Sequence, residues 1–197
     1  MVTGTRVGQG LQRGDGVRLN LGCADRRIDG FTGVDIAAGP EVDQIVDLES
    51  PWPWPDSSVL EVRAHDVAEH IGDCQHFQFG CTTCLVQGQT NRLRHPLGRI
   101  HFMNELHRVL APNGLALVEV PSAAHGVGFI TDPTHKTPWC LSLFKYFEAG
   151  TFAHQRLAAS YGITAAFRVL NLQEVEVSGE DPRERVWKIM ATLEAVK

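Results

Sequence analysis

Asp35, Asp47 and Asp66 each fall at the end of an apolar run in the first third of the chain, where carboxylates can accept hydrogen bonds from a ligand's hydroxyl and amino groups. Val17 to Ile36 reads VRLNLGCADRRIDGFTGVDI. Val17, Leu19 and Leu21 alternate with polar neighbours and run into Gly22, which predicts a strand that stops where a side chain would obstruct a ligand. Phe31 to Ile36 predicts a second strand ending at Asp35. Val42 to Leu48 is a third apolar run with Asp47 near its end, and Val59 to Ala64 a fourth that leads into HDVAEHI and Asp66. In a parallel sheet these ends share one edge, where ligands bind, and a carboxylate at the tip of the second strand can hold both hydroxyls of a ribose. A purely local alternative is that Gly22 closes a tight turn and Asp35 caps the next one. Gly22 is followed by Cys23, Ala24 and Asp25 rather than completing G-x-G-x-x-G, which disfavours a dinucleotide.

The elements that must position these groups fit in one domain. A chain of 197 residues with 43% apolar residues can bury a core of ordinary size. The formal charge of −5 comes with no basic run, which argues against a general nucleic-acid binder. No stretch approaches the ~20 apolar residues of a membrane span, and the glycine-rich start, MVTGTRVGQGLQRGDG, lacks the apolar core of a signal peptide. The expectation is a cytoplasmic protein with a flexible leader over 1–16 and one domain over 17–197.

LNLGC, GVDI, VDLESPWPWPDSSVLEV, AEHI, ELHRVLAPNG and LALVEVP, in that order, resemble the class I S-adenosylmethionine-dependent methyltransferases, in particular a compact branch whose fourth-strand motif ends in Glu-His-Ile. The resemblance covers Val17 to Ser122. It implies a doubly wound, mostly parallel, seven-stranded α/β sheet of Rossmann-like type, and S-adenosylmethionine as cofactor. On the matching positions it implies that Gly22 and Cys23 offer backbone to the methionine part, Asp35 holds the ribose, Asp47 and Leu48 flank the adenine, and His65 and Asp66 face the methyl group. The chain departs from the pattern at Ala24, where a second glycine is usual, and in its short connections: the first helix must be a stub and Ala37 to Glu41 a loop.

Between the EHI segment and the helix expected in IHFMNELHRVL, an insert over 72–98 carries Cys74, His76, Cys81 and Cys84. The C-x-H-x4-C-x2-C spacing suits a structural zinc site that would order the insert. Reduced thiols with a surface histidine, or a redox pair at Cys81 and Cys84, are the alternatives. Phe102, Met103, Leu106, Val109 and Leu110 share one helical face, closed by Pro112 and Gly114 before the strand LALVEV.

After that strand, PSAAHGVGFITDPTHKTPWC hangs over the same edge as the carboxylates and reads as a lid and acceptor site. Methyl transfer needs acceptor and donor held in line and, for many acceptors, a base. Asp66, His125, Asp132 and His135 are the candidates; a helix cap at Asp66, a turn at Asp132–Pro133 and solvated histidines are the structural alternatives. Leu141 to Tyr161 predicts a helical segment with Leu143, Phe144, Phe147 and Phe152 largely on its apolar side and with Gly150 as the point where it can break. Phe167 to Val177 and Arg185 to Val196 predict a closing antiparallel pair, for seven strands in all with fewer helices than usual on one face.

The favoured function is methyl transfer to an oxygen or nitrogen of a polar small molecule or glycan. One alternative is a nucleic-acid or protein methyltransferase gripping its polymer with Arg92, Arg94, His95 and Arg99. The other is a methyltransferase-like module that binds without catalysis.

Overall fold

The computed structural model describes residues 16–72, 98–178 and 185–197. Seven strands form one sheet in the order β3-β2-β1-β4-β5-β7-β6. The strands are β1 (Val17–Leu21), β2 (Thr32–Asp35), β3 (Gln44–Ile45), β4 (Val59–His65), β5 (Leu110–Pro121), β6 (Phe167–Ser178) and β7 (Arg185–Ala195). β1 to β5 run parallel and β7 pairs antiparallel with β5 and β6. The chain order reverses between β2 and β4 on either side of β1, so the crevice where such sheets take ligands opens at the end of β1.

One face of the sheet is apolar. Leu19, Leu21, Val62, Ala64, Ala116, Val118, Val120, Ile189 and Leu193 are buried, and helix α1 (Gly98–Val109) adds Phe102, Met103, Leu106 and Val109 to the same core. The other face carries Arg18, Glu61, Arg63, His65, Glu119 and Lys188. These groups pair with one another, Arg63 with Glu61 along β4 at 2.6 Å and the others across neighbouring strands: Arg18 with Glu61 at 3.9 Å, His65 with Glu119 at 3.3 Å and Lys188 with Glu119 at 2.6 Å. Such alternation is unusual for parallel strands, which are ordinarily covered on both faces by crossover helices.

The reason lies in the connections. Between β1 and β4, where every residue is described, there is no α-helix, not even the expected stub. The β1–β2 link instead turns on Gly22 (φ +63°), Ala24 (φ +46°) and Gly30 (φ +81°), and buried Asn20 donates from Nδ2 to the Arg26 carbonyl at 2.8 Å, tying the link back to its strand. A Cβ on Gly33 would lie 2.0 Å from the Glu41 carbonyl oxygen, so glycine alone lets the next loop cross β2 this closely.

The PWPWP segment takes the place of the third helix. Trp52 meets Trp54 and Phe102 edge-on at centroid distances of 5.9 and 5.6 Å. Arg108 of α1 locks it: its guanidinium donates to the Trp52 and Trp54 carbonyls at 3.0 Å each, to Asp56 at 2.7 Å, and to both oxygens of Glu105 at 2.7 Å. Glu105 in turn accepts the Trp52 N–H at 2.7 Å.

The stretch 141–161 departs from expectation. It forms a 3-10 segment (Leu141–Tyr146), α3 (Phe152–Leu157, after the single turn α2 at Val127–Ile130) and a 3-10 turn (Ala159–Tyr161) rather than one helix. Gly150 at φ +88° breaks it and Thr151 restarts it as the N-cap, accepting the His154 N–H. Phe144 and Phe147 are core residues, but Phe152 is 75% exposed, because the restarted helix turns that position outward.

Replacing Arg108 with Ala strands the Glu105 carboxylate and two carbonyls, and is expected to cost about 2–3 kcal/mol in urea unfolding. Arg168→Ala, which removes the exposed pair with Glu194, is expected to cost under ~1 kcal/mol.

Candidate functional site

The C-terminal ends of β1, β2 and β4 bring the sequence-selected residues to one edge. Gly22 ends β1. A Cβ placed on it would meet Val67 Cβ at 2.8 Å, so Val67, just past β4, covers the glycine. The Cys23 N–H donates to the Val34 carbonyl at 3.1 Å, and its thiol is buried near the Glu41 carbonyl. Burial, then the nearby Asp35 carboxylate, pushes that thiol's pKa up, so it is no nucleophile.

Asp35 lies beside this turn. Its Oδ2 accepts the Ala24 N–H at 2.9 Å and its Oδ1 the Ala37 N–H at 3.2 Å. Each oxygen keeps a further lone pair. Asp47 organises its own turn, accepting from the Glu49 N–H at 2.9 Å and the Ser50 hydroxyl at 3.2 Å. Leu48 is buried in the core.

His65 and Asp66 belong to a network that sequence reasoning missed. Lys188 of β7 donates to Asp66 Oδ2 at 2.7 Å and to Glu119 Oε1 at 2.6 Å, while His65 Nδ1 lies 3.3 Å from Glu119 Oε2. Burial works against the Lys188 ammonium, but its two carboxylate partners outweigh that and its pKa is raised. Glu119 is likewise opposed by burial and held below the usual carboxylate range by Lys188 and His65. Asp66 sits at φ +52°, and the 3-10 turn Ala68–His70 beyond it has no side-chain cap. Asp66 therefore faces Lys188 rather than capping a helix.

The lid is clamped to that turn. The N–H groups of Lys136 and Thr137 both donate to the Glu69 carbonyl at 2.9 Å, and Lys136 Nζ reaches Glu49 at 2.6 Å. Asp132 Oδ1 accepts from the N–H and hydroxyl of Thr134 at 2.7 and 2.6 Å, which hold its pKa down. That is the turn-forming role. His135 is partly buried with its side chain 8% exposed, its Nδ1 2.8 Å from the Phe129 carbonyl and its Nε2 3.8 Å from both Glu69 Oε1 and Asp132 Oδ2. His125 lies apart from this group, stacked on Trp187 at 4.4 Å and paired with Glu174 at 3.1 Å.

Glu69 is the second residue sequence reasoning passed over, although it stands in the AEHI motif. It is fully buried, and neither carboxylate oxygen has a hydrogen-bond partner among the described residues. Burial pushes its pKa up to about 8.

Cys74, His76, Cys81 and Cys84 lie outside the described residues, as do Arg92, Arg94 and His95. Arg99 is described and donates to the Pro138 carbonyl at 2.7 Å. No helix among the described residues is long and apolar enough to cross a membrane.

No protein-family model matches the sequence, and no curated protein matches it. Solved structures do match the fold. A methyltransferase from Bacillus halodurans C-125 superposes with a TM-score of 0.55 at 13% identity, over 93% of this chain and 94% of that one. A chain of the complex between the Haloferax volcanii Trm112 methyltransferase activator and a methyltransferase gives 0.53 at 12% identity, over 93% and 84%. The Burkholderia thailandensis 1,6-didemethyltoxoflavin-N1-methyltransferase, with 1,6-didemethyltoxoflavin and S-adenosylhomocysteine bound, gives 0.50 at 14% identity, over 92% and 72%. The chain thus has the Rossmann-like fold of the class I S-adenosylmethionine-dependent methyltransferases.

A buried acid with a raised pKa makes the fold less stable as pH climbs. Unfolded Glu69 releases its proton near 4.5 and the folded one at about 8, so its contribution is full below the first value and lost across that interval. Asp66 and Asp132 sharpen the effect and Lys188 opposes it; His70 and His135 face the same carboxylate. With metal ions chelated, Glu69→Gln is expected to match the parent's Tm at pH ~5 and exceed it at pH ~8.5.

Proposed function

We propose that the chain is an S-adenosylmethionine-dependent methyltransferase acting on an oxygen or nitrogen of a polar small molecule or glycan. The observation that carries this reading is the Asp35 carboxylate, fixed at 2.9 Å from the Ala24 N–H beside the Gly22 turn, with lone pairs left for two ribose hydroxyls. The residues fit the donor in type and position. Gly22 and Cys23 would offer backbone to its methionine part, Asp47 and Leu48 would border its adenine, and His65 and Asp66 would border the reactive end. The one adjustment the fit requires is at Val67, whose side chain covers Gly22. Val67 immediately precedes the three-residue 3-10 turn Ala68–His70, and its Cβ and Cγ2 both approach the glycine, so room is made there by a shift of the Val67 backbone at the start of a short turn.

The bound cofactor supplies an electrophilic methyl group on a sulfonium. The chain's own task is to hold the acceptor in line and accept its proton. Asp66 is suited to hold: Lys188 orients it at 2.7 Å, and carboxylates along the edge favour a cationic donor. His135, and behind it Asp132, stand on the lid segment where an acceptor would enter, and His125 borders the far end. The net charge of −5 and an Arg99 already bound to the Pro138 carbonyl give no support to a polymer-gripping surface.

Calorimetry with S-adenosylmethionine and S-adenosylhomocysteine tests the reading. The parent is expected to bind both, Asp35→Ala at least tenfold more weakly, and Val67→Ala more tightly because the Cγ2 methyl over Gly22 is gone. A folded parent that gives neither heat nor a thermal shift with either compound would return the fold to a non-catalytic binding module.

A further inference from the structure

Glu69, His70 and His135 each present a potential ligand atom, all within 4.8 Å of one another. Three features make this more than a chance cluster. First, Glu69 is completely buried and both its oxygens lack a hydrogen-bond partner among the described residues, a costly arrangement that a cation would relieve. Its Oε1 points toward His135 Nε2, 3.8 Å away.

Second, both imidazoles are oriented by their other nitrogen. His135 Nδ1 lies 2.8 Å from the Phe129 carbonyl, which can only accept, so the proton sits on Nδ1 and Nε2 keeps its lone pair toward Glu69. His70 Nδ1 lies 3.1 Å from the Thr134 hydroxyl. That hydroxyl has one hydrogen, which it donates to Asp132 Oδ1 at 2.6 Å, so it accepts from His70 Nδ1–H and the second lone pair is left on Nε2. A ring N–H anchored to a carbonyl or to a carboxylate-linked hydroxyl is what orients metal-bound histidines.

Third, the two halves of the cluster are locked together before any ion arrives. The Lys136 and Thr137 N–H groups fasten the lid to the Glu69 carbonyl, and the two imidazoles contact edge to face with centroids 4.8 Å apart. Tetrahedral ligands ~2.0–2.2 Å from a shared ion lie ~3.3–3.6 Å apart, against 3.8 Å between Glu69 Oε1 and His135 Nε2 and at most 4.8 Å within the cluster, so small side-chain rotations close the site.

We propose that Glu69, His70 and His135 form a site for one divalent transition-metal ion of the zinc type, with Thr134 and Asp132 as its orienting partners. Two imidazoles and a carboxylate are borderline donors suited to zinc, cobalt or manganese, and three protein ligands leave positions for water or an oxygen of another ligand. None of its ligands is a cysteine, and the proposal does not depend on methyl transfer.

The test uses the full chain, stripped with a chelator, in a form with Cys74, Cys81 and Cys84 changed to Ser so that thiolates cannot contribute. Zinc is expected to bind at one equivalent and to raise Tm. Cobalt is expected to give a visible spectrum without the near-ultraviolet charge-transfer band of thiolate ligation. His70→Ala, at a half-exposed position that leaves the core intact, and His135→Asn are each expected to weaken zinc at least tenfold with circular dichroism unchanged; Thr134→Val, which unpins His70, weakens it less. No zinc uptake by the triple-serine form, or equal affinity in the His70 variant, would overturn the site. Its loss would leave the response to S-adenosylmethionine untouched as a separate measurement.

Discussion

The ladder joining β2, β1, β4 and β5 in parallel is the constraint on which the rest depends. Because all four strands run the same way, every segment that leaves a strand does so at one edge, and Gly22, Asp35, Asp66 and the lid after Pro121 are delivered there together. Had any of these strands been antiparallel, its carboxylate would stand at the opposite end of the sheet. The Asp35 to Ala24 hydrogen bond closes the edge by fastening the tip of β2 to the turn after β1.

The stripped connections give the sheet its second character. Without helices over β1 to β3, half of the parallel ladder faces outward, and strands that are usually apolar on both sides alternate between core residues and ion pairs. That polar face reaches the functional edge. Lys188, Glu119 and His65 are its last members, and Lys188 orients Asp66 through its ion pair. The electrostatics of the edge thus derive from the missing helices as much as from the motifs.

The lid side is ordered by a different device. Buried Glu69 uses its carbonyl to take two lid N–H groups while its side chain remains unsatisfied within reach of two histidines. A carboxylate is expensive to hold in such surroundings, and its position beside the functional edge, in a fold shared with methyltransferases, makes it the most informative polar group in the molecule.

The strands are legible in the sequence because apolar alternation and the residues that end it are local properties. β1, β2, β4 and the closing pair β6 and β7 all fall where the pattern places them, and α1 follows from its apolar stripe. The placement of Asp35 beside Gly22 is legible too, because strand order follows from the sequence of motifs. Other features are not. Across 141–161 Gly150 marks the break, but the apolar spacing continues past it, so Phe152 looks like core although the restarted helix turns it outward. Most of all, no local pattern announces that Lys188 answers Asp66, or that His135 answers Glu69. Sequence alone determined which side chains stand at strand ends. Which of them are paired, buried or left without a partner was decided only when distant strands and the lid closed around them, since burial and charge pairing are properties of neighbours in space.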